Sequence, residues 1–491
     1  MDIGSRCPRE ETFVLANHFA RHLEPREITM VDPQFHRYED GPTTCRPSTA
    51  VLKSIRQSIK KNHALSAADI RLASYMGLIP AVAKRPTGFN DGVFYPPGEA
   101  PLSQAPANRP LRAARMARST GQTRQLHALA LMVDFSDNKG SRPAADFQKM
   151  LFDPANPNSM SSIYREMSYG NLEVTGEVIS HVRAPQPYTY YTAGESGTGD
   201  NYPHNTPGLL FDALTEYCKT DNLKRFDTDG DGFVDGIFLI HAGGGAEAEP
   251  NPQKRKEMIW SHKWTLPTPF VNQGVKVYAY STEPEDGRVG VFSHEFGHVL
   301  GLPDLYDTSY RSEGVGNWCL MGGGSWGGGG NKPTRMCCWC LSKLGWIKPI
   351  NAKSRVYTLD TLEKNAKECL RVWTGGKAGP EYFMLEDRQK TGRDAALPGS
   401  GLAVWHIDEA RSDNTNPLAY MVGLMQADGK RDLELAKNGG DAADLFPGPL
   451  KKTRFNDKTT PSSRAHDGSS TGVSLRGISV ANGEVKVTVK Q

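Results

Sequence analysis

The residues best suited to do chemistry lie in one short stretch, SHEFGHVLGLPDLYD, at positions 293–307. Its histidines, His294 and His298, are four residues apart, so on a helix two imidazoles lie one turn apart and can bind one metal ion. Glu295 follows the first histidine and is placed to take a proton from a metal-bound water. At about 100° per residue, the helix turns both histidines away from an apolar stripe. The stripe contains Val289, Phe292, Phe296, Val299 and Leu300. The pattern therefore predicts a catalytic metal site.

The residues after the second histidine predict a third ligand. Gly301 supplies the positive φ that ends a helix, and Pro303 prevents the helix from resuming, so the chain turns sharply. Asp304 can then swing back and offer a carboxylate oxygen. A catalytic zinc needs three protein ligands and one open position, which the histidine pair and Asp304 would provide. Glu313 is the alternative, because some HExxH enzymes take a glutamate from further downstream.

A glycine-rich segment, GNWCLMGGGSWGGGG, follows at positions 316–330. We predict that it forms a tight turn in which Met321 packs beneath the metal as a hydrophobic base. The alternative is a core methionine beside a flexible loop. The glycines do not form a phosphate loop, because the GxxxxGK[ST] pattern is missing.

A second cation site is predicted at FDTDGDGFVDG, positions 226–236. Its aspartates alternate with Gly232 at the bend, as in the first part of a calcium-binding loop. The predicted calcium ligands are Asp227, Asp229, Asp231, Asp235 and the carbonyl of Phe233. The usual bidentate glutamate is replaced by Phe238, so the loop is truncated. An Asp/Gly-rich turn is the alternative, but carboxylates this close repel one another without a cation.

The chain divides into three predicted regions. Residues 1–118 contain helix-compatible patches such as STAVLKSIRQSIKKN and a Pro-, Ala- and Arg-rich linker, which indicates either a spacer or a pro-segment junction. Residues 119–350 hold the motifs above, and residues 351–491 contain short strands between turns. The linker, residues 95–125, carries Arg109, Arg112, Arg115, Arg118 and Arg124. We therefore predict an α+β fold with a β-rich C-terminal domain.

Two strands are predicted within the middle region, LHALALMVDF at 126–135 and GVKVYAYSTEP at 274–284. In the second strand Val275, Val277 and Ala279 alternate with Lys276, Tyr278 and Tyr280. Alternation of this kind is typical of a half-exposed strand. We expect this strand to hold substrate by strand addition.

Composition excludes several classes of function. The 491 residues carry a net charge of only +3, which gives no indication of nucleic-acid binding. No apolar run approaches the length of a transmembrane helix, and the first thirty residues lack the apolar segment of a signal peptide. The eight cysteines include MCCWC at 336–340. Its C-C-x-C spacing differs from that of a zinc ribbon and favours a structural role over a soft-metal cluster.

Several of these segments resemble the immune inhibitor A family of metallopeptidases, which are metzincin-type zincins. The resemblance rests on HEFGHVLGLPDLYD, LMGGGSW and DGDGFVDGIFLIHAGGG. MSSIYREMSYGNLEVTGEV, CLSKLGWIKPI, EYFMLEDRQ, GSGLAVWHIDE and LMQADGKRDL extend it over roughly residues 120–490. The resemblance implies a metzincin-like catalytic domain, with a twisted mixed sheet and an HExxH helix, before the β-rich domain.

The same resemblance implies a zinc-dependent endopeptidase that acts on proteins or peptides, is usually secreted, is often stabilised by calcium and is made as a zymogen. It supports His294, His298 and Asp304 as zinc ligands, Glu295 as general base and Met321 as the turn methionine. The sequence departs from this pattern because no signal peptide is visible. Two other functions stay open: a zinc hydrolase of small amides, and a calcium-stabilised binding or adhesion protein with an inactive peptidase fold.

Overall fold

The computed structural model describes residues 49–61, 65, 69, 73, 94–96 and 123–491. These described residues form a mixed α/β protein with several sheets and short helices. Helix α1 (Thr49–Lys60) confirms the helix predicted from STAVLKSIRQSIKKN, whereas most of the predicted pro-segment and linker lies outside the described residues. None of the described helices is long and apolar enough to cross a membrane.

The first sheet has five strands in the order β2-β1-β3-β5-β4 and is mixed. Its strands are β1 (Arg124–Asp134), β2 (Leu172–Arg183), β3 (Ile237–His241), β4 (His262–Asn272) and β5 (Val275–Pro284). β1 runs parallel to β2 and β3, β3 runs parallel to β5, and β4 runs antiparallel to β5. Both strands predicted in the middle region are confirmed as β1 and β5.

The prediction that β5 is half-exposed and available for strand addition is wrong. β5 lies between β3 and β4: one edge pairs with β4, and on the other edge residues 281–284 pair with β3 and Lys276 bridges to Phe233. Val277 packs in the core on one face of the sheet, and Tyr278 packs in the core on the other. A tyrosine ring carries enough apolar surface to fill a core, so the alternation with tyrosine did not indicate solvent.

Helices cover both faces of the first sheet. They are α2 (Ala144–Leu151), α3 (Met160–Met167), α4 (Tyr188–Thr192), α5 (Thr206–Tyr217), α6 (Pro252–Arg255), α7 (Val289–Val299) and α8 (Cys338–Lys343). One core contains side chains of α2, α3, α7 and α8 together with Ala128 and Ala130 of β1. The other contains side chains of α4 and α5 together with Leu129 and Leu131 of β1. β1 is therefore buried on both faces, as the near-continuous apolar run LHALALMV requires.

Two further sheets are built from residues after position 350. One, in the order β11-β10-β9-β8-β6, contains β6 (Ile350–Asn351), β8 (Cys369–Trp373), β9 (Glu381–Arg388), β10 (Gly401–Asp408) and β11 (Val422–Leu424). The other, in the order β12-β13-β14-β7, contains β7 (Arg355–Leu359), β12 (Arg454–Phe455), β13 (Ser474–Ala481) and β14 (Glu484–Lys490). The β-rich character predicted for this region is confirmed. Its division from the preceding region at 350 stays a prediction, since one core cluster contains both Trp318 and Trp405.

One member of the predicted basic linker belongs to the folded protein instead. Arg124 begins β1, is buried, and places its Nη2 atom 3.1 Å from Oδ2 of Asp229. An arginine next to a run of carboxylates gains a charged partner, which the linear sequence does not show. The arginines at 109, 112, 115 and 118 lie outside the described residues.

Helix α7, which carries the HExxH motif, packs against α2, α3 and β5. All eleven of its residues are buried, although the sequence predicted only one apolar stripe. The helix ends at Val299, and Gly301 adopts a φ of 98°, as predicted. At its start, the Gly290 amide donates a hydrogen bond to the Gly330 carbonyl at 2.8 Å, so the glycine-rich segment lies directly against the helix.

This contact predicts the effect of Gly290→Ala. A Cβ atom at position 290 would lie 2.0 Å from the Ser325 carbonyl oxygen, which belongs to backbone and cannot easily move. Helix propensity alone would favour alanine by about 1 kcal/mol. The overlap outweighs this gain, and we expect a net loss of about 1–3 kcal/mol in the free energy of unfolding.

Chemical denaturation measures the free energy of unfolding of Gly290→Ala, with Gly379→Ala as the control variant. A Cβ atom at position 379 meets no atom within 4 Å, so this control should leave stability unchanged. Equal or greater stability of Gly290→Ala than of the wild-type protein would contradict the close contact between α7 and the glycine-rich segment.

Candidate metal centre

Three predicted ligands converge at one buried point. His294 and His298 lie on α7, and Asp304 follows the turn at Gly301. The Nε2 atoms of the two histidines are 3.2 Å apart, and Oδ1 of Asp304 lies 3.1 Å from Nε2 of His294 and 3.2 Å from Nε2 of His298. All three side chains are at most 4% exposed. The structure therefore brings together the whole predicted set.

The other nitrogen of each imidazole is held by a backbone carbonyl. Nδ1 of His294 lies 2.9 Å from the Leu320 carbonyl oxygen, and Nδ1 of His298 lies 2.8 Å from that of Leu302. A carbonyl oxygen only accepts, so each Nδ1 carries the hydrogen and each Nε2 of a neutral imidazole presents its lone pair. Two lone pairs and a carboxylate oxygen therefore face one another, an arrangement that suits a cation.

The spacing of these atoms suits zinc. Ligand atoms that bind one zinc ion tetrahedrally at about 2.0–2.1 Å lie roughly 3.3 Å from one another. The three separations of 3.1–3.2 Å are close to that edge length. Two imidazoles and one carboxylate are also a donor set of the kind found in catalytic zinc sites. The residues present therefore fit a zinc ion.

The electrostatics of the centre also favour positive charge. Burial opposes protonation of His294, but Asp304, Glu295 and the Leu320 carbonyl outweigh it and raise the pKa of His294 to about 9. Burial likewise opposes ionisation of Asp304, yet the two histidines hold the pKa of that carboxyl well below its usual value. A proton and a metal ion thus compete for the same Nε2 lone pair, so metal affinity falls as the pH falls.

The predicted general base and the alternative third ligand lie in different surroundings. Glu295 is fully buried on α7, and its charge acts on His294. Glu313 donates its backbone N–H to the Leu433 carbonyl at 2.8 Å and is absent from the group of converging ligand atoms. The geometry therefore favours Asp304 over Glu313.

Met321, the predicted turn methionine, lies directly after Leu320 and packs against α7. It is fully buried, and its carbonyl accepts a hydrogen bond from Leu305 N at 2.8 Å. A Cβ atom at Gly297 of α7 would lie 2.4 Å from the Met321 sulfur, so the methionine packs against the helix at its one side-chain-free position between the histidines. The glycine in HEFGH was a signal of this close approach that the sequence analysis did not use.

Two other features that position the metal centre were not predicted from the sequence. Tyr164 of α3 donates its hydroxyl to the Ser293 carbonyl at 2.5 Å and so fixes the helix just before His294. The Leu320 and Leu302 carbonyls orient the imidazoles, and no side-chain pattern marks a backbone oxygen for such a role. The ring of Tyr306 lies 6.1 Å from the ring of His294, which places an aromatic side chain at the edge of the centre.

The predicted calcium loop is only partly assembled around one point. Carboxylate oxygens of Asp227, Asp229 and Asp231 converge within 4.8 Å of one another. Burial raises the pKa of Asp227, and the charges of Asp231 and Asp229 raise it further, so these carboxylates repel one another. Gly232 adopts a φ of 84°, which allows the bend.

Two of the predicted calcium ligands have other contacts. Asp235 is fully buried, and its Oδ2 atom accepts hydrogen bonds from His127 N, at 2.8 Å, and from the Thr228 hydroxyl. It therefore does not belong to the converging group. The Phe233 amide donates to Oδ1 of Asp231 at 2.9 Å, which keeps Phe233 next to that group.

Comparison with known proteins adds an independent finding. Residues 114–344 match the family model described as the immune inhibitor A peptidase M6 catalytic domain. The chain is 32% identical over 277 residues to immune inhibitor A of Bacillus thuringiensis subsp. alesti, a match that covers 46% of this chain and 40% of that protein. It is 29% identical over 325 residues to the pre-pro-metalloprotease PrtV of Vibrio cholerae serotype O1 (strain M66-2), which covers 52% of this chain and 35% of that protein.

A shorter match, 31% identical over 90 residues, joins the chain to a putative secreted metallopeptidase of Arthroderma benhamiae and covers 18% of this chain and 13% of that protein. The chain thus spans less than half the length of each of these relatives. The matched range includes α7, the glycine-rich segment and the aspartate loop. The resemblance predicted from the motifs is confirmed: residues 114–344 are similar to the immune inhibitor A peptidase M6 catalytic domain.

Proposed function

We propose that the chain is a zinc-dependent endopeptidase that hydrolyses internal peptide bonds of proteins, with His294, His298 and Asp304 as the zinc ligands. The observation that carries this proposal is the convergence of two carbonyl-oriented Nε2 lone pairs and one carboxylate oxygen at a buried point. The relative named pre-pro-metalloprotease PrtV and the match to a peptidase M6 catalytic domain support the same activity. A metzincin-type catalytic domain is the fold that this proposal implies for residues 119–350.

Each side chain has a definite task in this mechanism. A zinc ion held here would supply the Lewis acidity that makes water nucleophilic near neutral pH. His294 and His298 keep their hydrogens on Nδ1 by donating to the Leu320 and Leu302 carbonyls, which reserves Nε2 for the ligand. Glu295 accepts the proton of the attacking water and passes it to the leaving amine. Met321 supports the helix from below.

Protein substrates and secretion follow from the relatives rather than from the site. The fungal relative, which is named a secreted metallopeptidase, supports an enzyme that acts outside the cell. A small-amide hydrolase and an inactive adhesion protein are less well supported, because the base and all three ligands are present together. Degradation of casein by the purified chain separates these alternatives.

The variant Glu295→Gln tests the general base. The amide cannot accept the proton, whereas the three ligands are untouched, so zinc content should stay unchanged while kcat/KM falls by about 10²–10⁴-fold. Glu283→Gln is the matched control, because burial and the nearby Glu295 raise the pKa of Glu283 well above its usual value. The raised pKa favours the protonated form of Glu283, which the amide resembles, so Glu283→Gln should preserve activity. Full activity of Glu295→Gln would remove Glu295 from this role.

We also propose a calcium site at Asp227, Asp229 and Asp231, with the Phe233 carbonyl as a further ligand; of the predicted ligands, Asp235 is left out because its Oδ2 atom accepts hydrogen bonds from His127 and Thr228. The mutual repulsion of the first three carboxylates supports it. Arg124 and the hydroxyl of Tyr95, which lies 2.6 Å from Oδ2 of Asp231, already offset part of that charge. Calcium would accordingly stabilise the fold rather than take part in hydrolysis.

Thermal unfolding with and without calcium tests this site. Calcium at about a hundred times its Kd should add about 2.7 kcal/mol to the free energy of unfolding of the wild-type protein. Asp231→Asn should reduce this gain, because it removes one carboxylate charge from the group. Asp200→Asn, at an exposed position, is the control and should retain the gain. If Asp231→Asn responded to calcium like the wild-type protein, the loop would not be the binding site.

The N-terminal region is proposed to act as an inhibitory pro-segment. Val51 and Ile55 of α1 form one hydrophobic cluster with Tyr306 and Tyr310, and Tyr306 is the aromatic neighbour of His294. Nη2 of Arg255 lies 2.9 Å from Oδ1 of Asp69, and both side chains are at most 3% exposed. A helix and a buried ion pair thus join the N-terminal region to the folded protein beside the metal centre. Cleavage in the linker and loss of this region would expose the centre.

Weakening this contact should activate the uncleaved chain. Ile55→Asp places a charge in the cluster and removes burial worth about 1.5–3 kcal/mol, so casein hydrolysis by the intact chain should rise by roughly ten- to a hundredfold. Gln57→Asp adds the same charge at an exposed position of the same helix and should have no effect. The intact mass is checked after each assay. Equal activity of both variants and the wild-type protein would contradict an inhibitory role for α1.

A further inference from the structure

Three buried cysteines form a compact group behind the metal centre. Cys337 and Cys340 lie at the start of and within α8, and Cys319 precedes the methionine turn. Sγ of Cys340 lies 3.8 Å from Sγ of Cys319 and 3.7 Å from Sγ of Cys337. All three side chains are fully buried, and none is in a disulfide. Three soft donors therefore meet at one point that plays no part in the proposed hydrolysis.

The spacing of the sulfurs matches that of thiolates around one ion. Sulfur atoms that bind one zinc ion tetrahedrally at about 2.3 Å lie roughly 3.8 Å apart. A disulfide would require a separation of about 2.05 Å. The observed 3.7 and 3.8 Å agree with the first arrangement and not with the second.

One backbone donor supports a sulfur atom of this group as an acceptor. The Cys337 amide donates a hydrogen bond to Sγ of Cys319 at 3.2 Å, which stabilises sulfur as an acceptor. The guanidinium of Arg388 is buried and donates to the Trp318 carbonyl at 2.8 Å, next to Cys319 in the chain. The charge of Arg388 is already paired with Asp394 at 2.8 Å, so the bound metal ion itself must offset the negative charge of the thiolates.

We propose that Cys319, Cys337 and Cys340 bind one soft, thiophilic metal ion of the closed-shell class, Cu(I) or Zn(II). Thiolate ligands select these ions, and each thiol releases its proton to solvent when it binds. Cu(I) is satisfied by three thiolates, and zinc takes a fourth ligand. Among the described residues, no fourth histidine, cysteine or carboxylate joins the group, which favours Cu(I).

An ion at this position would stabilise the catalytic centre without contacting the proposed zinc ligands. Cys319 is adjacent to Leu320, whose carbonyl orients His294, and it is two residues before Met321. The ion would tie this turn to α8, which packs in the same core as α7. The C-C-x-C spacing of MCCWC differs from that of a zinc ribbon and therefore predicts a structural role. The motif does not contain the third donor, Cys319, which lies 18 residues before Cys337.

Metal analysis of the full chain, purified without oxygen and without chelators, tests the proposal. X-ray absorption should reveal metal–sulfur distances of about 2.2–2.3 Å. The catalytic ligands contain no sulfur, so this signal reports only the cysteine group. The absorption edge identifies the element, and titration of stripped protein with Cu(I) or Zn(II) alone should restore a sulfur-to-metal charge-transfer band.

Cys340→Ser should lose this band and one equivalent of metal per chain. Cys218→Ser, at a half-buried cysteine outside the group, should lose neither. If Cys340→Ser fails to fold, the X-ray absorption spectrum of the wild-type protein still shows whether sulfur-bound metal is present. Absence of sulfur-bound metal in the wild-type protein, or an intact mass lower by two hydrogens because of a disulfide within the group, would overturn the proposal.

Discussion

Two hydrogen bonds from imidazole nitrogens to backbone carbonyls are the constraint on which the centre depends. They run from Nδ1 of His294 to the Leu320 carbonyl and from Nδ1 of His298 to the Leu302 carbonyl. Each fixes the tautomer and the orientation of its ring, so two Nε2 lone pairs point at one spot and meet Oδ1 of Asp304. Without these acceptors, either ring would rotate or carry its hydrogen on Nε2, and the three donors would no longer converge.

The carbonyls can do this only because the chain around them is tightly folded. Leu302 follows Gly301, whose φ of 98° reverses the chain directly after α7. Leu320 precedes Met321, whose sulfur occupies the space left by the missing side chain of Gly297. Glycine is therefore needed at two positions for different reasons, a backbone conformation at one and a close approach at the other.

Local patterns predicted the elements well, and long-range contacts explain what was missed. The HExxH helix with its end at Gly301, strands β1 and β5, and the strands after residue 350 follow from periodicity and turn residues. The prediction that β5 is half-exposed was wrong because the fold topology decides which strands become neighbours. The alternation of Val277 with Tyr278 is the same in an exposed strand and in a buried one. Arg124 was assigned to the linker because its partner, Asp229, lies more than a hundred residues away.

The same reasoning explains why the site could be predicted further than its surroundings. The two histidines, Glu295 and Asp304 are close in sequence, so spacing alone indicates their shared chemistry. Asp235 does not converge with the other aspartates of the predicted calcium loop. It accepts a hydrogen bond from the backbone N–H of His127, which belongs to β1. Contacts of this kind depend on which strands become neighbours, and a local sequence motif does not indicate the neighbours of a strand.

The region after residue 350 takes part in the construction of the metal centre. Nδ2 of Asn414 donates to the Leu305 carbonyl at 2.7 Å, next to Asp304, and Nε1 of Trp318 donates to Oδ2 of Asp444 at 3.1 Å. Arg388 of β9 holds the Trp318 carbonyl from the same side. Both segments that complete the centre, the turn after α7 and the methionine turn, are thus anchored to the later sheets. The C-terminal strands therefore contribute to the geometry that the proposed hydrolysis requires, although they supply none of its proposed zinc ligands.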